Sequence, residues 1–482
     1  MHFDIAIIGG GAAAVSYLDS LSNLLIENEK RASIAIFDEE NSIGKGQVYT
    51  VDYPWLIMNT PAQDLSAVYR APNDFIQWAS KIGEEIKHGE YVSREFFGNY
   101  IKHKFESIKK CDSAAYNINP ILSKVKNINK DGDDFIIITE GNDKYRARFV
   151  VLASRHKSFN DHYDLDNKDG FIIDPYPLIN KISHLSNNGR YLIIGSGLTG
   201  VDCAISLFNQ KTPSRMVMAS RMGYLPEVKG DKLYSCRPNF FLAENILKNG
   251  DITLRTLLRY ARKEFALHDI DWRVYLFADT LLCNRIEYFE KQVNLAKSQP
   301  TTFNIILGMI PELAMIWPSM SSDHVLLFID KYYKHVQQKH GAIPLRNAEI
   351  ILSLIFHNVL ELKKGIKSIK KNEEYFTAVF HDNSIEIFDY VINATGPSRK
   401  IAHSKENELY VNLLNNGMIE ELRLGGLRIK YPEAYPVVKN NVASENFFLI
   451  GHNAEGTHIF TNNFQWIVET GFLSAKNLIN KL

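Results

Sequence analysis

The chain has 482 residues, length for two to four domains, with 45% hydrophobic and 23% charged residues as in ordinary globular proteins. Its 55 basic residues balance 55 acidic ones, which excludes a global attraction to nucleic acid or to an anionic membrane. Cys111, Cys203, Cys236 and Cys283 form no C-x-x-C pair, which excludes a redox dithiol and a zinc ribbon and points to a reducing cytoplasm.

The first apolar run, Asp4-Ile5-Ala6-Ile7-Ile8, has the length of one buried parallel strand. It begins within a few residues of Met1, so no signal peptide is expected, and no apolar run reaches the ~18–20 residues that span a bilayer. Gly9-Gly10-Gly11-Ala12-Ala13-Ala14 follows and fits G-x-G-x-x-A. A helix is expected over residues 13–29, then a second strand over 33–37 that ends on Asp38-Glu39-Glu40. Strand, glycines, helix, strand and acid in that order form a dinucleotide-binding βαβ unit. Gly9 permits the tight turn, Gly11 and Ala12 let backbone approach a pyrophosphate, and Ala14 keeps the helix close to the sheet. The helix start offers free N–H groups to phosphate, and Asp38 with Glu39 can accept hydrogen bonds from ribose hydroxyls.

A loop with Gly44 and Gly46 comes next, then Asn59-Thr60-Pro61-Ala62 and Ser66. In a flavin domain this stretch passes near the isoalloxazine ring, which makes Gly46, Asn59 and Ser66 candidate cofactor contacts and Asn59 a candidate catalytic group. By itself it is a polar turn with a proline. Residues 75–108 read as helical and carry Arg94, which suits either a phosphate or a surface acid. From 118 to 152 short β-rich runs separated by Asp131-Gly132-Asp133 and Gly141-Asn142-Asp143 predict a meander and a strand that returns to the first sheet.

A second signature follows. Tyr191-Leu192-Ile193-Ile194 leads into Gly195-Ser196-Gly197-Leu198-Thr199-Gly200, an unbroken G-x-G-x-x-G, with an apolar helix over 201–208. The next strand, 216–219, ends on Ser220-Arg221 instead of an acid. A hydroxyl and a guanidinium suit a 2′-phosphate that an acid would repel, which favours NADPH over NADH. Two such units fit a tandem duplication or two different dinucleotides. Their opposite closures favour FAD in the first and NADPH in the second.

Residues 234–356 exceed what a nucleotide domain needs. Apolar spacing predicts helices over 243–247, 254–267, 272–295, 323–340 and 347–362. Together they read as a helical insertion, a lid or a surface for a homo-oligomer. His324, His335 and His340 have no partnering carboxylates and are expected as solvated or packing residues, so no metal site is predicted. Strands over 375–380, 384–388 and 390–392 then lead to Asn393-Ala394-Thr395-Gly396-Pro397. A last strand over 446–450 ends at Gly451 and precedes a C-terminal helix. Asn453, His458 and Asn462 lie along this stretch and can cap that helix. The expected fold class is therefore α/β with two Rossmann-like domains and a mainly helical insertion. Its parts are 1–185 (FAD, first part), 186–235 (NADPH, first part), 236–362 (insertion), 363–395 (NADPH, return strands) and 396–482 (FAD, C-terminal part).

The two glycine signatures, the 393–397 turn and the final Gly451…Gly456…Thr461 stretch make the chain resemble two-dinucleotide-binding-domain flavoproteins. Asn59-Thr60-Pro61-Ala62, residues 94–100 and Ser220-Arg221-Met222-Gly223-Tyr224-Leu225-Pro226 resemble the bacterial FAD/NAD(P)-binding proteins related to ornithine and lysine N-hydroxylases. Ala153-Ser154-Arg155 departs from the A-T-G turn that such flavoproteins often carry there. The resemblance implies contacts to FAD from Gly451 and Thr461, a cofactor-side turn at Thr395 and Gly396, and Asn453, His458 and Asn462 either as catalytic polar groups facing the flavin ring or as caps of the last helix. It also implies FAD reduced by NADPH, O₂ reacting at flavin C4a to a hydroperoxide, and oxygen transfer to a small amine or amino-acid-like substrate. The alternatives are an NAD(P)H-dependent flavin oxidoreductase without oxygen insertion and a flavin-bound redox sensor or interaction protein.

Overall fold

In the computed structural model the chain divides into two units, Met1–Ser158 with Pro397–Leu482, and Phe159–Gly396. The structure describes residues 1–39, 43–230, 237–248, 250, 252–273, 284–298, 302–333, 341–402, 404–423, 425–439, 441–454, 457 and 463–482.

The first unit is built on a seven-stranded sheet. His2–Ile8 lies between Ala32–Phe37 and Lys144–Leu152, parallel to both, and Tyr116–Ile121 extends the sheet beyond Ala32–Phe37. Val125–Asp131 and Asp134–Thr139 form the expected meander. The long strand Lys144–Leu152 takes two neighbours on one side. Its first half pairs antiparallel with Asp134–Thr139, and its last residues pair parallel with Phe447–Leu449. Strands buried on both faces carry no polar alternation. Ile5, Ile7 and Val151 pack into one core with Tyr17, Leu21 and Leu478, from the helices Ala12–Glu27 and Phe464–Lys481. Ala6, Ile8 and Val150 face the opposite core with Tyr410 and Leu413 of the helix Glu408–Asn415.

One acid is buried under this sheet. Asp19 on the first helix sits 3.9 Å from Lys104 Nζ, whose nearer partner is Asp74 at 3.0 Å. Burial, partly opposed by Lys104, pushes the Asp19 carboxyl up to about 6. The folded state therefore holds this proton more tightly than the unfolded chain, so stability falls as pH rises from about 4 through about 6. Asp19→Asn is expected to stabilise the protein by about 1–3 kcal/mol at pH 8 and to add little at pH 4. Urea unfolding at the two pH values checks this; a gain of equal size at both contradicts the ionisation argument.

The second unit carries a five-stranded parallel sheet in the order Leu360–Lys364, Arg215–Ser220, Arg190–Ile194, Tyr390–Asn393, Phe171–Ile172. Two expected boundaries shift. The first unit closes at Ser158 and not at 185, because Phe171–Ile172 pairs with Tyr390–Asn393 in the second sheet. The insertion ends before 362, because the helix Leu345–Phe356 is the crossover that delivers Leu360–Lys364 parallel to Arg215–Ser220. Residues 360–362 are thus strand, although their apolar spacing continues the helical pattern. Ile366–Lys371 adds an unanticipated first strand to the meander with Phe376–Phe380 and Ile385–Phe388.

Between Ser220 and Leu345 lie the helices Ala243–Leu247, Leu254–Leu267, Arg285–Ser298, Thr302–Ile316 and Ser322–Phe328. The expected 272–295 helix is described only from Arg285 onward and at Trp272 and Arg273. His324 is half-buried, whereas His335, His340, Cys236 and Cys283 lie outside the described residues. Among the described residues no three metal-ligating side chains converge, and no helix is long and apolar enough to cross a membrane.

Candidate dinucleotide sites

Both glycine signatures fold as their chemistry requires, and by the same construction. Gly9 has φ +103°, and a Cβ there would lie 2.6 Å from Ser154 N. Gly195 has φ +109°, and a Cβ there would lie 2.6 Å from Ala394 O. In each unit the first strand turns into its helix against the end of the neighbouring parallel strand. The Ala153-Ser154 turn therefore does in the first unit what Ala394-Thr395 does in the second. Ala153 and Ser154 both donate backbone N–H groups to Ile8 O, at 2.8 and 2.7 Å. The departure from A-T-G leaves this backbone role intact.

The helices that follow start openly. Gly11 and Gly197 are their N-caps, with no side-chain cap bond and no acid in the first turn. The first helical bonds run from Val15 N–H to Gly11 O and from Val201 N–H to Gly197 O, at 3.0 Å each. The N–H groups ahead of them, at Ala12 and Ala14 in one unit and Leu198 and Thr199 in the other, form ready-made anion cradles. A Cβ on Gly197 would meet nothing within 4 Å. At Gly11 it would touch Gly46 Cα at 3.5 Å, an ordinary contact. Gly44 N–H holds the loop there through Gly10 O at 2.8 Å, which places Gly46 over the first cradle. At Gly200 a Cβ would meet Gly195 O at 2.4 Å, so this helix can approach its strand only as glycine. Ala14 has the corresponding place in the first unit. These cradles fit a pyrophosphate.

The closures differ as their sequences do. Asp38 follows the second strand of the first unit, and its carboxylate accepts Gly10 N–H at 2.6 Å and Glu39 N–H at 2.7 Å. Burial pushes this carboxyl up against those two bonds, which favour the ionised form. Asp38 thus braces the glycine turn, and its remaining lone pairs are what it can offer to ribose hydroxyls. Glu39 is more exposed and pairs with Lys124 at 2.7 Å, which holds its carboxyl below the usual range. In the second unit Ser220 Oγ accepts Gly223 N–H at 3.0 Å and lies 2.8 Å from Ser196 Oγ. Its hydroxyl ties the turn to the glycine loop, and Arg221 beside it is exposed.

The other candidate residues separate. Ser66 is 8% exposed, and its hydroxyl is engaged within its own turn, donating to Ala71 O at 2.8 Å and accepting Val68 N–H at 3.1 Å. Asn59 is half-buried in a segment that Met58 N–H and Ala62 N–H tie to Val92 O and Glu90 O, at 2.8 Å each. Thr395 Oγ1 donates to Asn393 Oδ1 at 2.7 Å, and Gly396 takes φ +79° to complete the turn. Gly451, with φ +67°, packs against Ala13, where a Cβ would lie 3.2 Å from the Ala13 Cβ. His458, Thr461 and Asn462 lie outside the described residues.

Asn453 is 3% exposed, and its amide is fully engaged. Nδ2 donates to Ser154 O at 2.6 Å and Leu152 O at 3.0 Å, and Oδ1 lies 2.7 Å from Tyr410 OH. Tyr410 OH is also 2.7 Å from Ser154 O, and burial pushes the phenol up. Asn453 and Tyr410 together fasten the strand-end turn on which Gly9 rests. Tyr410 is not singled out by the sequence, since it sits beside Leu409 and Leu413 on an amphipathic helix and reads as a core aromatic.

Residues 6–157 match the family model described as FAD-NAD(P)-binding, and this part of the chain is such a domain. No curated protein matches the sequence. The fold is similar over 100% of both chains to that of an ornithine N-hydroxylase from Kutzneria sp. 744, at TM-score 0.61 and 11% identity. That structure holds reduced FAD, NADP⁺ and L-ornithine. An ornithine hydroxylase from Pseudomonas aeruginosa is similar at TM-score 0.59 and 11% identity, over 100% of this chain and 99% of that one. The bacillithiol disulfide reductase of Bacillus cereus is similar at TM-score 0.52 and 12% identity over 100% of both chains. The chain thus has the fold of two-domain FAD/NAD(P) flavoenzymes.

Proposed function

From this FAD/NAD(P)-binding fold, we propose that the protein is an FAD- and NADPH-dependent monooxygenase that N-hydroxylates or otherwise oxygenates a small amine or amino-acid-like metabolite. One observation carries the reading: two uncapped, glycine-started helices whose cradles are closed oppositely, by Asp38 and Glu39 in one unit and by Arg221 in the other. The full-length likeness to two ornithine hydroxylases supports the reaction class. When bound, NADPH supplies the hydride and the reduced flavin activates O₂, so that one oxygen atom goes to the substrate nitrogen and the other leaves as water. The chain's own contribution is binding and orientation. Gly9, Gly11, Ala12 and Ala14 admit the FAD pyrophosphate, with Gly46 above them and Asp38 bracing the turn. Gly195, Gly197, Leu198, Thr199 and Gly200 do the same for NADPH.

The second reading, an NAD(P)H-dependent flavin oxidoreductase without oxygen insertion, draws support from the full-length likeness to a disulfide reductase. NADPH oxidation with a panel of diamines and basic amino acids separates the two. A monooxygenase shows a substrate that raises NADPH consumption and yields hydroxylated product in proportion. NADPH consumption that yields only H₂O₂ with every amine supports the reductase. Very slow turnover throughout supports a redox sensor.

A further inference from the structure

The turn after the second strand of a Rossmann sheet is where the adenosine ribose is read. In the second unit this turn runs from Ser220 to Gly223, closed by Gly223 N–H to Ser220 O at 3.1 Å. Arg221 projects from it, exposed. Two further cations reach the same turn from distant parts of the chain. Lys364 ends the adjacent parallel strand in register with Ser220, and Gly365 N–H donates to Ser220 O at 2.8 Å. Arg285 opens the helix Arg285–Ser298, and its guanidinium stacks on Tyr224 with Cζ 5.2 Å from the ring centroid. Gly223, at φ +68°, is wedged between the two. A Cβ there would lie 2.8 Å from Arg285 Nη1 and 3.1 Å from Lys364 Cα.

The cations nearby on the same sheet are neutralised. Arg215 bonds Glu361 and Glu386, Lys363 bonds Glu386, and Arg190 forks onto Asp389. Arg221, Arg285 and Lys364 make no ion pair with an acid among the described residues. Three cations around one turn repel each other unless a polyanion joins them.

We infer that Arg285 and Lys364 complete, with Arg221, a site for the 2′-phosphomonoester of NADPH, so that the helical insertion itself supplies a determinant of cofactor choice. The inference rests on the NADPH reading above and adds residues to it. Arg285 can fork two N–H donors onto phosphate oxygens, and Lys364 supplies a point charge from the neighbouring strand.

Binding of adenosine 2′,5′-bisphosphate and of ADP, followed by calorimetry on the intact protein, tests this without turnover. Wild type is expected to bind the 2′,5′-bisphosphate at least tenfold more tightly than ADP. Arg285→Ala and Lys364→Ala should each weaken the bisphosphate roughly tenfold and leave ADP within twofold, and Arg285→Lys should restore part of the loss. Unchanged ADP affinity also shows that the variants are folded. If Arg221→Ala abolishes the preference while Arg285→Ala and Lys364→Ala keep it, the added residues are wrong and the NADPH reading stands. Equal loss of both ligands in these two variants also overturns their 2′-phosphate role. If wild type itself shows no preference, the NADPH reading fails, and the inference with it.

Discussion

Gly11→Val is expected to give a folded, colourless protein. Gly11 has φ −75° and ψ −174°, an extended conformation that valine adopts readily. Its Cβ would make only an ordinary 3.5 Å contact with Gly46 Cα, so the fold can accept the branch. The branch adds bulk at the N-cap, beside the first-turn N–H groups. A pyrophosphate can no longer reach those groups, and the charge-assisted bonds they would supply are lost. Absorption near ~450 nm should vanish from the purified variant, since that band belongs to oxidised flavin and the variant no longer retains any. Its far-ultraviolet circular dichroism and urea midpoint should stay near those of wild type. A yellow variant at full flavin occupancy would show that the first cradle does not hold FAD. Substitution at Gly9 is a poorer test, because φ +103° and the 2.6 Å approach to Ser154 N make any side chain disturb the fold itself.

Asn453→Ala is expected to cost about 2–4 kcal/mol of stability, because it leaves the Leu152 and Ser154 carbonyls and the Tyr410 hydroxyl with broken bonds inside the protein. The released turn is the one that Gly9 packs against, so flavin affinity should fall along with stability. Urea unfolding together with flavin retention on gel filtration checks both effects. A catalytic Asn453 predicts the opposite pattern, with stability and flavin retained and turnover lost. The burial of Asn453 and its engaged amide favour the positioning role.

The fold was largely legible in the sequence because it rests on local signals. Buried strands read as apolar runs, and glycines with positive φ or a close backbone approach read as G-x-G-x-x-G and its alanine variant. Residues 360–362 read as helix from sequence, because the parallel neighbour of their strand lies far away in the chain. The helix Glu408–Asn415 carries no sequence signal beyond amphipathic packing. The two glycine turns are legible for the same local reason, while the residues that reach them from elsewhere are not. Tyr410, Arg285 and Lys364 gain their meaning from tertiary neighbours. Asn453 reads from sequence as a ring-facing catalytic group or a helix cap, and only the structure shows which way its amide faces.

The proposed function requires this chain to hold FAD and to reduce it with NADPH. The most direct measurement is the visible spectrum of the purified protein before and after NADPH is added without oxygen. A flavin band near ~450 nm is expected, which bleaches with NADPH faster than with equal NADH and returns when air is admitted. A protein that stays colourless and binds no added FAD, or a flavin that NADPH leaves oxidised, would contradict it.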